Sequence, residues 1–263
     1  VSDNETELLT ERRGAVMWIT FNRPESRNAM TWNMYDRLKS ACTSVNDDRT
    51  VRAVVLTGGG GKAFVAGTDI AQFKSFRTEQ DALDYEAQGN VVMSTLEAVR
   101  VPTIAAIAGP CTGAGAAIAA CCDLRIGSPS ARYGIPIART LGNCLSMPNY
   151  ARAAALLGIP RLKDLIMRAR LMDASEMLAC GVLSEVTPDE ESLPPRAQQL
   201  AEEVGGYAPL TQWATKEALR RIRDRSIPEG EDKDLILACY MSEDFKEGVD
   251  AFLGKRPPQW KGR

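Results

Sequence analysis

The residues best placed to do chemistry lie in two segments, GKAFVAGTDI at 61–70 and AGPCTGAGAAIAACCDLRI at 108–126. Each follows an apolar run of the kind that forms a strand, Val51–Thr57 and Thr103–Ala108, then turns through small residues into a helical pattern. The second helix, from about Gly113, is almost wholly Ala, Ile and Cys, which predicts burial on every side. A buried helix start needs partners for its first N–H groups, and its dipole favours negative charge there. Gly113, Ala114 and Gly115 leave that backbone open to approach. Two such turns facing each other offer converging N–H donors, suited to negative charge developing on a carbonyl oxygen. The same small residues serve tight helix–strand packing equally well, and spacing alone leaves the two readings level.

Other chemistries are narrowed by what the 263 residues contain. Histidine is absent, which excludes Ser–His and Cys–His nucleophile pairs and the histidine-bearing zinc motifs. Cys121 and Cys122 lack metal-ligand spacing, so no metal is predicted. The seven cysteines, most in apolar surroundings, read as core residues of a reducing compartment. A polar N-terminus without a signal pattern adds to the expectation of a cytoplasmic protein. The net charge of -2, with both signs interspersed, argues against nucleic acid. No apolar run reaches the roughly 20 residues a membrane helix needs. Acid–base work falls to Asp, Glu, Tyr, Lys, Cys or water.

The elements that must hold the two turns follow from periodicity. Leu8–Arg12 and Ala15–Phe21 predict a hairpin, and Thr31 N-caps a helix to about Val45. A long helix over 79–98 precedes strand 103–108, the Ala-rich helix and strand Leu124–Gly127. Strands alternating with helices imply right-handed crossovers in a mostly parallel sheet. Beyond about residue 146 the pattern is helical: 147–157, 161–169, 174–180, 195–206, 209–225, 230–242 and 244–253, with a brief strand at Leu183–Val186. Pro188–Pro195 is the strongest boundary signal, and the tail bearing Trp260 should lie against its own chain or a neighbour.

Five segments in register, NRPESRNAM (22–30), GKAFVAGTDI, GPCTGAGAAIAACCDLRI, YGIPIARTLG (133–142) and EDFKEGVDAFLGKRPP (243–258), resemble the crotonase superfamily, the enoyl-CoA hydratase/isomerase family. The resemblance implies an α/β fold, a crotonase-like spiral of ββα units with a C-terminal helical region. It divides the chain into a core over 1–195 with the oxyanion hole and a helical trimerisation region over 196–263. It implies a homotrimer or dimer of trimers, and an acyl-CoA thioester substrate that brings coenzyme A as its own part, with no tightly bound cofactor. By matching position the oxyanion hole is the backbone N–H of Thr68 and of Ala114, the latter in place of a glycine usual in the family. Arg27 and Ala29 match the loop around the nucleotide, Ala66, Asp69 and Ile70 the turn whose backbone meets the adenine, and Phe252 and Lys255 positions that reach the nucleotide. Asp123, acidic and near the site in sequence, reads as an anchor of the strand start ahead of a catalytic role.

The pattern breaks where the family's hydratases place two glutamates around a water, for the matching residues are Ala117 and Ile137. A positioned acid or base contributes roughly 10²–10⁴-fold in rate, so their loss should slow ordinary hydration. In Ile137–Tyr150, a segment that lines the site in relatives, Arg139 is a candidate partner for a second substrate carboxylate, and Cys144 reads as a small wall residue. Glu79, Asp81, Asp84 and Glu86 fall on the helix that covers the pocket mouth in relatives, and of these Glu86 is the candidate base, with Tyr85 beside it. The leading expectation is therefore enolate chemistry with an unusual acid–base set: decarboxylation, isomerisation or hydrolysis. Hydration by another carboxylate, and a CoA-thioester-binding protein with little turnover, are the alternatives. An RNA-binding member of the fold is remote, since no helix shows a comb of Lys and Arg.

Overall fold

The chain opens in an antiparallel hairpin, β1 (Leu8–Arg13) and β2 (Val16–Phe21), with Leu8 opposite Phe21. The computed structural model describes residues 6–225 and 233–261. Strands β3 (Ala53–Gly58), β5 (Thr103–Ile107), β7 (Leu124–Gly127) and β10 (Glu185–Val186) continue the sheet in parallel, in the order β1-β2-β3-β5-β7-β10. A second sheet joins the short strands β4 (Val65–Ala66), β6 (Pro110–Thr112), β8 (Arg132–Gly134) and β9 (Met172–Asp173). Each turn of the spiral lays one strand in the larger sheet and one in the smaller, then adds a helix. Thus β3 and β4 lead to Glu79–Glu97, β5 and β6 to Ala114–Cys121, and β7 and β8 to Ile137–Thr140.

Alternation along the strands makes the larger sheet two-faced. Ile19, Phe21, Val54, Leu56, Ala105 and Ile107 share the main core with Met34, Leu38, Cys42 and Val45 of the helix Trp32–Asp47. Trp18, Ala53, Val55, Ile104 and Ala106 pack on the opposite side against Leu193, Ala197 and Ala201. Those three, spaced by four, form one stripe of the helix Leu193–Gly205. Pro194 and Pro195 therefore sit in that helix's first turn, where a missing N–H costs nothing, and not in a boundary loop. Burying each such Ile, Leu or Phe contributes about 1.5–3 kcal/mol.

Local signals explain the helix ends. Thr31 accepts a hydrogen bond from the Met34 N–H at 3.2 Å, as an N-cap should. Thr78 and Asp81 close a reciprocal capping box on Glu79–Glu97. Asp123 accepts from the Thr103 N–H at 2.8 Å and its hydroxyl at 2.9 Å, and pairs with Lys216 at 2.6 Å, so it ties two strand starts together. The helix expected over 230–242 runs Lys233–Tyr240, and residues 230–232 lie outside the described residues. The tail folds back on its own chain: the Lys261 N–H meets Asp244 at 2.6 Å and the Gln259 N–H meets Glu247 at 2.8 Å.

Candidate active site

Parallel pairing of β4 with β6 sets Val65 beside Cys111 and Ala66 beside Thr112, so the two glycine turns emerge side by side. Gly67 and Gly113 have φ of +102° and +54°, and a Cβ at Gly113 would lie 3.3 Å from Gly67 Cα. Both angles belong to glycine's territory. Gly115 is required for packing, since a Cβ there would stand 2.1 Å from the Val65 oxygen. Close packing and open backbone thus occur together. Around the turns, Met30 N–H donates to Gly67, Asp69 N–H to Met30, and Gly113 N–H to Gly134. Among the described residues no main-chain hydrogen bond engages the N–H of Thr68 or of Ala114, which is the first residue of its helix.

Both residues line a cleft of about 840 Å³. Glu86, Arg27, Ala29, Ala66, Asp69, Ile70, Phe252 and Lys255 line the same cleft. Ala117 and Ile137 line it too, as apolar wall. Arg27 and Lys255 are exposed cations. The Asp69 side chain is engaged locally, pairing with Arg23 at 3.1 Å and capping the Ala71 N–H at 3.2 Å. From 137–150 the wall receives Ile137, Thr140, Leu141, Asn143, Cys144, Leu145 and Asn149. Arg139 is exposed and lies outside the cleft lining, so it does not stand ready to pair with a substrate carboxylate there.

Glu86 is only 7% exposed. Its Oε2 accepts the Ser146 N–H at 3.1 Å, and its Oε1 accepts the Tyr240 hydroxyl at 2.6 Å. Tyr240 in turn accepts from Asn143 Nδ2 at 3.1 Å. Burial, then the Glu86 charge, drive the Tyr240 phenol well above its ordinary range, which keeps it a donor at neutral pH. The Thr68 hydroxyl lies 2.8 Å from that of Tyr35 and 3.0 Å from that of Tyr85. Burial pushes Tyr35 up to about 12 and raises Tyr85 well above the ordinary phenol range. The neighbouring acids on the same helix do other things: Glu79 and Asp84 are exposed, and Asp81 caps. Sequence reasoning missed Tyr240 and Tyr35, which reach the site from separate helices with no motif around them.

Among the described residues no helix is long and apolar enough to cross a membrane. The Enoyl-CoA hydratase/isomerase family model matches residues 11–263. A crotonyl-CoA hydratase of Syntrophomonas wolfei is 34% identical, with 95% of each chain covered. A short-chain-enoyl-CoA hydratase of Clostridium acetobutylicum is 32% identical, again over 95% of each chain. The solved structure of methylmalonyl-CoA decarboxylase in complex with 2-nitronate-propionyl-CoA superimposes with a TM-score of 0.88 at 26% identity, covering 98% of this chain and 99% of that one.

Proposed function

The chain belongs to the enoyl-CoA hydratase/isomerase family, and we propose that it moves a proton at the carbon beside a CoA thioester's carbonyl. The N–H groups of Thr68 and Ala114 hold the carbonyl oxygen, and Glu86 carries the proton. One observation supports this reading above others: Glu86 is a buried carboxylate in the cleft that both glycine turns line. Its carboxylate takes the α proton, and the C–H electron pair moves onto the carbonyl oxygen as an enolate. The two N–H groups stabilise that charge in place, with no reorganisation needed when it forms. Returning the proton to the α carbon gives exchange, and returning it further along an unsaturated chain shifts the double bond.

Arg27, Ala29, Ala66, Asp69, Ile70, Phe252 and Lys255 accommodate the nucleotide end of the coenzyme, the two cations facing its phosphates. Assembly as trimers through the region from residue 196 onward, and a cytoplasmic location, go with this reading. Hydration is the second reading, favoured by the hydratase names of the relatives above. There Glu86 would direct the water, since Ala117 and Ile137 carry no carboxylate.

Transfer of acyl-CoA thioesters into heavy water tests both. Wild-type protein should exchange the α protons, read by mass spectrometry, and Glu86→Gln should lower that rate roughly 10²–10⁴-fold. No exchange with any thioester that binds would remove the enolate reading. Crotonyl-CoA hydration at a rate untouched by Glu86→Gln would remove Glu86 from either one.

A further inference from the structure

Two phenols converge on one atom of Thr68. Its Oγ1 lies 2.8 Å from the Tyr35 hydroxyl and 3.0 Å from that of Tyr85, so the helices Trp32–Asp47 and Glu79–Glu97 both reach it. All three residues line the cleft. The main chain on either side of Thr68 is pinned to Met30: the Met30 N–H donates to the Gly67 oxygen at 2.9 Å, and the Asp69 N–H to the Met30 oxygen at 2.9 Å. A threonine hydroxyl has two lone pairs and one hydrogen. Phenols are more acidic than aliphatic hydroxyls, hence the better donors, and burial keeps both of these protonated at neutral pH. Two incoming phenol hydrogens fill both lone pairs of Oγ1, which leaves over the hydrogen of Thr68 itself. Beyond the two phenols, no group among the described residues bonds that hydroxyl. Accepting two hydrogen bonds polarises the O–H further, so it donates more strongly than a lone threonine would.

We propose that Thr68 gives its side-chain hydroxyl as well as its N–H to the thioester oxygen, a third hydrogen bond in the oxyanion hole, with Tyr35 and Tyr85 as positioning residues that aim it. This rests on the reading of Thr68 and Ala114 as main-chain donors and adds a side chain to them. An enolate oxygen has three lone pairs, enough for all three bonds. The β-branched side chain of Thr68 has few χ1 choices, and two phenols holding its oxygen select one. The direction is therefore set before substrate arrives, which is what makes such a donor effective. No proton passes along the chain: each hydroxyl keeps its own hydrogen and donates it.

The direct readout is the carbonyl stretch of bound butyryl-CoA, isotopically labelled at its carbonyl carbon, in infrared difference spectra, because each hydrogen bond to the oxygen lowers that frequency. Thr68→Val keeps the N–H and deletes the hydroxyl. The stretch should rise, and α-proton exchange should slow roughly ten- to a hundredfold with KM within a few-fold, the effect of one hydrogen bond to a charged group. Thr68→Ser should restore both. Tyr35→Phe combined with Tyr85→Phe should raise the stretch and slow exchange by less. Adding Thr68→Val to that pair should then cost less than it does in the wild type, since the three act as a unit. The paired background also strands no phenol, so it carries the comparison should Thr68→Val alone fail to fold. A stretch unchanged in Thr68→Val, or a serine variant as slow as the valine one, would overturn the proposal and leave the main-chain donors standing. A wild-type stretch no lower than that of free butyryl-CoA would remove the oxyanion hole itself, and the proposal with it.

Discussion

Tyr240 donates its hydroxyl to Glu86 at 2.6 Å across 154 positions of sequence, so the helical C-terminal part holds from behind a carboxylate that lines the cleft. A hydrogen bond to a charged group is worth about 1.5–3 kcal/mol. Tyr240→Phe should therefore slow α-proton exchange about tenfold to a hundredfold with little change in KM, because Glu86 stays but loses its orientation. Ser146 still holds the second oxygen, so the effect should be smaller than that of Glu86→Gln. Comparison of the two exchange rates on one thioester checks the order.

The parts of this arrangement visible in the sequence are those whose cause is local. Thr31 and Thr78 announce their helices because a cap is a short-range bond, and the hairpin and the long parallel strands follow from runs of apolar residues. The smaller sheet is invisible for the opposite reason. Val65–Ala66, Pro110–Thr112, Arg132–Gly134 and Met172–Asp173 are too short for a period of two to show, and each is a strand only because its neighbour is. Thr68, Ala114 and the residues expected at the nucleotide could be brought to one cleft from the sequence because they sit in ordered motifs. Glu86 could be named as the candidate base ahead of Glu79, Asp81 and Asp84, but its burial could not be read, since that depends on Tyr240 and Ser146, both distant in sequence. Arg139 shows the converse: proximity in sequence to the wall of the cleft did not put it there.

Substitution at the second glycine turn should separate binding from chemistry. Gly113→Val forces a branched side chain onto a φ of +54° with its Cβ 3.3 Å from Gly67 Cα, so the turn must shift and carry the Ala114 N–H with it. Loss of one oxyanion donor costs roughly 10²–10³-fold in rate. Exchange should fall by that amount, while CoA-thioester affinity changes only a few-fold. Ala114→Gly, which keeps the N–H, should remain near wild type, and a comparable loss there would deny the main-chain group its role.

Cys239 should be the thiol that reacts first. A hydrogen bond from the Cys144 side chain lowers its pKa to about 7 despite partial burial, whereas burial pushes Cys42 and Cys122 up to about 12 and raises Cys111 and Cys121 well above the ordinary thiol range. The nucleophile is the thiolate, so a lowered pKa means that half of Cys239 is already reactive near neutrality. Iodoacetamide labelling followed by peptide mass spectrometry should show Cys239 modified first, with its rate half-maximal near pH 7. Cys144→Ala removes the donor and should move that midpoint upward toward the ordinary thiol value of about 8.5. A midpoint unchanged in the variant would rule out the hydrogen bond as the cause.

The helix Pro209–Asp224 points to self-association. None of its residues is buried by the rest of the described chain, and Leu210, Trp213, Leu219 and Ile222 are 77%, 49%, 62% and 66% exposed. A helix of 16 residues gains little stability alone in water and draws most of it from packing an apolar face. Four large apolar side chains left in solvent on one helix are a contact surface in waiting. Sedimentation should find the 28.6 kDa chain as a trimer or pair of trimers. Leu219→Glu with Ile222→Glu should lower the assembled mass and the melting temperature together, because charges would be buried without partners at the interface. A monomer at micromolar concentration in the wild type, with a cooperative melt insensitive to these two substitutions, would show that the helix stands by itself.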